Sequence, residues 1–394
     1  MKKHYLPSRN VLLLGFISLF SDISSQMVYP LLPIFLKGLG TTVLFIGLIE
    51  GIAEATAALF KTVAGRLSDL WQKRKIFVLV GYGLSNFIKP TLFWAVNWYQ
   101  VLSVRFVDRL GKATRNPPRD ALIAGSADKT QRGKAFGWHL AMDRLGALSG
   151  PLLALLILYH FPKNLRLVFL LSVIPGAIAV GLVFWVKEKT SFKPDQNKGL
   201  TTPTQLYKNR SFMIFWVACI IFTLGNSSNA FLILKAQEVK FSAPQMVLLW
   251  TLYNAVCTIA APVLGNLSDR WGRRPLIVLS FVYYAILYAL FGFANTPWMI
   301  WGLFGAYGIY YGLSKGIFKA YLADLVPDHL RATAYGVFNT GLGLALFPAS
   351  LLMGGLWSMV GSQWAFLVSA SLSLLGGAVF MIGVGLKKTF IELK

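Results

Sequence analysis

The sequence predicts an all-α membrane protein, with twelve transmembrane helices in two pseudo-symmetric six-helix bundles. Three observations lead there. Apolar runs of roughly 20 residues, long enough to cross a ~30 Å hydrocarbon core, recur along nearly all of the 394 residues. The composition is 56% hydrophobic and only 13% charged, too apolar for a soluble domain. Landmarks in the first half return in the second about 200 residues later, the mark of a duplicated bundle.

The candidate spans are about 10–36, 43–65, 76–96, 98–124, 136–160, 165–187, 211–236, 243–265, 275–295, 298–323, 333–358 and 362–387. Each is read as a helix, because an open strand edge finds no hydrogen-bond partner in lipid. The opening "MKKHYLPSRNVLLLGFISLF" resembles a secretory signal but has no small-residue cleavage site and runs on to Asp22. It is read as the first membrane helix. The longest polar gap, Lys187–Arg210, is rich in Lys, Thr, Pro and Gln and reads as a cytoplasmic linker. The expected organisation is therefore an N-terminal bundle at 1–187, a linker at 188–210 and a C-terminal bundle at 211–394.

Charge sets the orientation. The net charge of +23 is not read as a nucleic-acid footprint, because the basic residues sit in short loops between apolar spans. "RLSDLWQKRK", "ADKTQRGK", "NLSDRWGRRP" and "PDHLRA" follow even-numbered spans, while "WAVNWYQ", "FANTPWM" and "VGSQWAF" follow odd-numbered ones. Positive loops stay inside, so both termini are expected on the cytoplasmic side of a cytoplasmic membrane. Cys219 and Cys257 fall within apolar spans and are read as packing residues.

The repeat is explicit. "GRLSDLWQKRK" begins at Gly65 and "GNLSDRWGRRP" at Gly265, 200 residues later. "ISSQ" at 23–26 parallels "NSSN" at 226–229. The loop pattern, Gly65, Asp69 and Arg74 followed by Gly265, Asp269 and Arg273, resembles the signature of the major facilitator superfamily. Arg105 and Gly111 resemble that family's helix-4 pattern, with Asp108 and Arg109 in place of the usual Gln and Gly. "GALSGP" (Gly146 to Pro151) is similar to the helix-5 motif of its drug–proton antiporters. The resemblance implies a monomeric secondary transporter working by alternating access, with helices 4 and 10 lining a central cavity. The physics of the loop agrees: glycine permits close helix approach, and an aspartate accepts hydrogen bonds from a helix N-terminus or a neighbouring Arg. These six residues are the candidate gating motif.

The most charged membrane stretch is "RFVDRLGKATRNPPRD", Arg105–Asp120. Arg105, Asp108, Arg109, Lys112, Arg115 and Arg119 recur at steps of three and four, along one helical face. Facing lipid, each charge would cost about 2.5–3.5 kcal/mol, so the stripe must face protein or a wet cavity. An offset of 200 carries Arg115 and Arg119 onto Lys315 and Lys319. Cations opposed in low dielectric repel unless an anion joins them. The four are therefore expected to clamp a small anionic solute: a carboxylate, a phosphate or a siderophore-like ligand. The competing reading pairs the helix-4 cations internally with Asp108, Asp120, Glu54 or Asp143. Tyr307, Tyr311, Asn226 and Gln26 extend the candidate binding face.

Acids within spans are candidates for proton coupling, because burial favours the neutral carboxyl. Asp22, Glu54 and Asp143 are selected, with His139 one turn before Asp143; Glu50 and Asp108 are further acids in spans. Efflux of a drug or a metal cation by proton antiport remains the alternative. There is no G-x-x-x-x-G-K-[ST] loop for nucleotide-driven transport and no recognisable hydrolytic constellation. No enzyme activity, cofactor or resident metal is expected. The expected partners are a small-molecule or ion substrate, protons and the lipid bilayer.

Overall fold

The computed structural model describes residues 8–71, 73–127, 131–162, 164–188, 204–327 and 330–384; the side chains of Asp69, Asp269 and Lys315 lie outside the described set. Among the described residues every regular element is helical. The first six long segments are α1 (Arg9–Gly38), α2 (Val43–Trp71), α3 (Arg74–Trp94), α4 (Trp98–Gly125), α5 (Arg132–His160) and α6 (Leu165–Val183). The second six are α7 (Arg210–Glu238), α8 (Ala243–Trp271), α9 (Arg273–Phe293), α10 (Pro297–Leu325), α11 (Arg331–Val360) and α12 (Ser362–Val384). Ten of these are long and apolar enough to cross a membrane. The two that fall short are α4, with its charged stripe, and α10, diluted by Gly, Tyr and Lys.

The helix boundaries follow local chemistry. At the start of α4, Asn97 and Gln100 form a reciprocal capping box, which satisfies two otherwise orphaned N–H groups. The α3 N-terminus is closed by the Glu188 carboxylate, which accepts from Arg74 N at 2.6 Å and Lys75 N at 3.2 Å. In the repeat, α9 starts after Gly272 at φ +82°, a left-handed conformation costly for any residue with a Cβ. Pro117 and Pro118 lie inside a continuous α4.

The contacts divide the chain into two compact units. One contains Met1–Leu39, Thr56–Pro194 and Ala243–Thr251; the other contains Gly40–Ala55, Asp195–Ser242 and Leu252–Lys394, each so far as its residues are described. In the first unit α1 packs on α5 and α6, and α3 packs on α4 and α6. In the second, α7 packs on α11 and α12, and α9 packs on α10 and α12. The same pairing recurs six helices later, so the duplication read in the loops extends to the packing. Helix α2 begins in the second unit, where Gly354 of α11 approaches Val43 O closely enough that an added Cβ would sit at 2.9 Å.

Without a hydrophobic force between helices in lipid, small residues that let backbones touch hold the bundles together. On α5, a Cβ at Gly146 would lie 2.6 Å from Leu19 O, and one at Gly150 2.7 Å from Ile23 O, both on α1. This is the structural use of the "GALSGP" stretch. On α4, a Cβ at Gly111 would lie 2.7 Å from Gly81 O and from Ser85 N of α3. Gly65 is 3.4 Å from Pro117 by the same measure, but Gly265 faces nothing within 4 Å. Close helix approach therefore does not account for the second glycine of the repeated loop.

This contrast yields a paired prediction. Gly111→Val, which forces α3 and α4 apart, should cost about 1–3 kcal/mol as overpacking and lower the melting temperature in detergent. Gly265→Ala should leave that temperature unchanged or slightly raised, since alanine is the better helix former. Equal losses in both proteins would refute the packing assignment.

Candidate functional site

The first unit encloses a polar interior made by α1, α3 and α4. Three cations of the α4 stripe are neutralised locally. Asp108, buried, lies 3.7 Å from Arg105 and 3.6 Å from Lys112, and accepts a 2.5 Å hydrogen bond from Ser85 Oγ of α3. Arg119 donates Nε and Nη2 to one oxygen of Asp120, at 3.0 and 2.9 Å, and Nη1 to Ser18 Oγ at 3.4 Å. Arg109 is half-buried.

Arg115 is different. Only 3% of it is exposed. Its Nη1 donates to Ser21 Oγ of α1 at 2.6 Å, and its guanidinium lies 4.1 Å from the Tyr82 ring centroid. Its Nε has no hydrogen-bond partner, and no described carboxylate lies within ion-pair distance. One turn beyond Asn86 on α3, Lys89 is equally buried and donates to Ser25 Oγ at 2.9 Å and Asn86 Oδ1 at 3.0 Å. Ser21 Oγ completes the network by donating to Asn86 Oδ1 at 3.3 Å.

The candidate proton groups divide between the units. Asp22 is half-buried on α1, where a Cβ added to Gly146 would come within 2.9 Å of its own Cβ. His139 and Asp143, one turn apart on α5, are 3.6 Å from each other. His139 Nε2 and Asp143 Oδ1 are buried without partners. Glu54 belongs to the second unit, half-buried on the first half of α2. Gln26 accepts from Trp250 Nε1 at 2.8 Å in the first unit.

The second unit has its own polar centre, at a break in α7 after Gly225. Freed backbone and side-chain groups there are met by tyrosines: Tyr284 OH donates to Gly225 O at 3.0 Å and to Asn226 Oδ1 at 3.3 Å, and Tyr307 OH donates to Asn229 Oδ1 at 2.8 Å. Tyr253 stacks on Tyr307 and meets Tyr311 edge-on. Ser228 Oγ donates to the buried Glu50 at 3.0 Å. Lys319 is exposed, and its backbone carbonyl accepts from Tyr335 OH at 2.8 Å. Of the gating motif, Arg273 forms a 2.7 Å ion pair with Asp324, and Arg74 opens α3 under the Glu188 cap. Asp69, Asp269 and Lys315 are candidates whose side chains lie outside the described set.

Sequence reasoning missed Lys89, Ser21 and Asn86, and the tyrosines 253, 284, 288 and 310. A lone lysine before Pro90 in an apolar span was an available signal, since an intramembrane charge marks function by default. The tyrosines had none, being indistinguishable from core aromatics.

A family model described as Major Facilitator Superfamily matches residues 14–235 and 214–390. The chain belongs to the major facilitator superfamily. It is 35% identical over 382 residues to an uncharacterized MFS-type transporter of Methanocaldococcus jannaschii, covering 95% of this chain and 94% of that protein. It is 26% identical to a probable 4-methylmuconolactone transporter of Cupriavidus pinatubonensis, over 80% of this chain and 76% of the relative. Its fold matches a bacterial homologue of the human lysosomal transporter Spinster with a TM-score of 0.77 at 14% identity, covering 98% and 97% of the two chains. This facilitator is thus a multi-pass membrane transporter and not an enzyme. Family members bind small-molecule substrates and typically work as monomers.

The charge arrangement sets an order of sensitivity within this facilitator. Asp108→Asn strands the buried Arg105 and the half-buried Lys112, and breaking a buried pair costs about 3–5 kcal/mol. Asp120, whose side chain is 49% exposed, contributes at most about 1 kcal/mol through its surface pair. Thermal unfolding in detergent should show Asp108→Asn far less stable than Asp120→Asn. The reverse order would discredit the assignment of Asp108 as the neutralising centre.

Proposed function

We propose that this facilitator is a proton-coupled secondary transporter for a small anionic organic solute, carrying a carboxylate, a phosphate or a siderophore-like group across the cytoplasmic membrane by alternating access. The observation that carries the reading is Arg115. It is a buried guanidinium held by one hydroxyl and one aromatic face, whereas Arg105, Lys112 and Arg119 each have a carboxylate. A buried charge with no carboxylate in contact is costly in low dielectric, and an anionic substrate would relieve it. Arg115 and Arg119 on α4, and their sequence counterparts Lys315 and Lys319 on α10, are the proposed anion-binding cations. Tyr307, Tyr311, Asn226 and Gln26 contribute to the binding surface.

In the same proposal, the residues 1–187 and 211–394 act as two bundles joined by the linker 188–210, with both termini cytoplasmic. The loops containing Gly65, Asp69 and Arg74, and Gly265, Asp269 and Arg273, latch alternate states. Asp22, Glu54, Asp143 and His139 are the proposed proton carriers, Asp22 foremost because it lies on α1 one residue from Ser21, which binds Arg115.

A thermal-shift screen of the purified protein against carboxylates, phosphates, siderophores, metal ions and lipophilic cations tests the substrate class, since a ligand of the folded state raises its melting temperature. Stabilisation by carboxylates or phosphates is expected, and stabilisation only by lipophilic or metal cations would replace this reading with efflux. Arg119→Ala and Lys315→Ala should each weaken anion binding at least tenfold; unchanged affinity in both removes these cations from the proposal. In proteoliposomes, Asp22→Asn should retain substrate binding but lose the response to an imposed pH gradient. Undiminished proton-driven flux would clear Asp22 of the role.

A further inference from the structure

We propose that Lys89 and Arg115 form an oxyanion subsite within the first unit, with Ser21, Ser25 and Asn86 completing it. The inference rests on the anionic reading above and assigns the charged group of the substrate to particular atoms. Three successive contacts separate the two cations: Lys89 Nζ to Asn86 Oδ1 at 3.0 Å, Asn86 Oδ1 to Ser21 Oγ at 3.3 Å, and Ser21 Oγ to Arg115 Nη1 at 2.6 Å. Both cations are over nine-tenths buried. The side chains that bridge them are neutral; Asp22 and Asp108 lie near enough to attract them but form no ion pair with either, and the two cations repel each other in low dielectric.

The direction of the hydrogen bonds specifies the ligand. Asn86 Oδ1 accepts from both Lys89 and Ser21, while Ser25 Oγ accepts from Lys89 and Ser21 Oγ from Arg115. Each acceptor is already engaged, and the groups left without any partner are donors. Asn86 Nδ2 and Arg115 Nε are fully buried N–H groups without a partner, and a buried donor left unsatisfied costs about 1–3 kcal/mol. Asp108 on α4 is already engaged by Ser85, Arg105 and Lys112, and Asp120 by Arg119. Asp22 on α1 makes no ion pair with Lys89 or Arg115 among the described residues. A ligand that only accepts, and that carries negative charge, satisfies both deficits. A carboxylate or a phosphate group has that chemistry, whether it belongs to an organic solute or to free inorganic phosphate.

The test uses the full-length protein in detergent, with unfolding followed by tryptophan fluorescence at matched ionic strength. The probes are succinate, citrate, benzoate and inorganic phosphate. At least one should raise the melting temperature of the unaltered protein. Lys89→Gln should bind that probe at least tenfold more weakly, and Lys89→Arg should recover most of the loss. Asn86→Asp places a carboxylate between the cations; it should melt higher than the unaltered protein without added anion and respond little to the probe. A response to succinate, citrate or benzoate but not phosphate assigns the site to an organic solute, and the converse to the free ion; either supports the subsite. If Lys89→Gln, or Asn86→Asp should the former not fold, keeps the full anion response, the subsite is overturned while the anionic reading stands. If none of the four probes shifts the unaltered protein, the anionic reading falls and the subsite with it.

Discussion

The constraint on which the first unit depends is the cost of holding cations inside a bilayer. Charges at the membrane centre are tolerated only when protein or water solvates them. Helix α4 carries a row of such charges, and its neighbours are arranged around them. Asp108 compensates Arg105 and Lys112 from the same helix, and α3 contributes Ser85 to hold that carboxylate. The hydroxyls of α1 take one donor from each of three cations, Ser18 from Arg119, Ser21 from Arg115 and Ser25 from Lys89. These serines are spaced three and four apart, so one face of α1 serves as a hydroxyl ladder for cations projecting from α3 and α4.

The two units solve the same topological problem with opposite chemistry. Ser25 of "ISSQ" accepts from the buried Lys89, whereas Ser228 of the parallel "NSSN" donates to the buried Glu50. A hydroxyl can do either, because it carries one donor and two acceptor sites. The repeat thus keeps the hydroxyl while the charge it meets changes sign, although the helix is continuous at Ser25 and broken at Ser228. In the second unit the break in α7 is served by neutral tyrosines rather than cations. Their rings pack as core, and Tyr284 and Tyr307 present hydroxyls to the interrupted helix. Broken helices are permitted at membrane depth where neighbouring groups restore the lost hydrogen bonds.

The fold was legible in the sequence because the bilayer imposes span length and forbids open edges. The predicted 98–124 became Trp98–Gly125, and 10–36 became Arg9–Gly38. The internal pairing of the α4 cations with Asp108 and Asp120 was legible too, since spacings of one, three and four residues bring side chains together on a helix. What local pattern could not reveal was interhelical. Lys89 stands out in the sequence as a lone intramembrane charge, but its partner Ser25 appears only when α1 is brought beside it, and Asn86 becomes notable only when both Ser21 and Lys89 reach its oxygen. Gly265 shows the converse failure: a motif glycine invited a packing explanation that its open surroundings do not support. Gly272, at positive φ, is where the second loop does require a glycine.

The close approach of α3 and α4 and the polar network are a single device. Gly81 and Gly111 bring the two backbones so near that a methyl group at either would collide with main-chain atoms. That proximity is what lets the short side chain of Ser85 reach Asp108 and places the Tyr82 ring against the Arg115 guanidinium. Spread the helices by the width of a side chain and serine no longer spans the gap, the Asp108 carboxylate loses its neutral donor, and the face of Tyr82 withdraws from the cation. Small residues in membrane helices are commonly explained by van der Waals packing alone. Here they also fix the solvation of the charges one turn away, so the glycines and the charged stripe of α4 constrain each other.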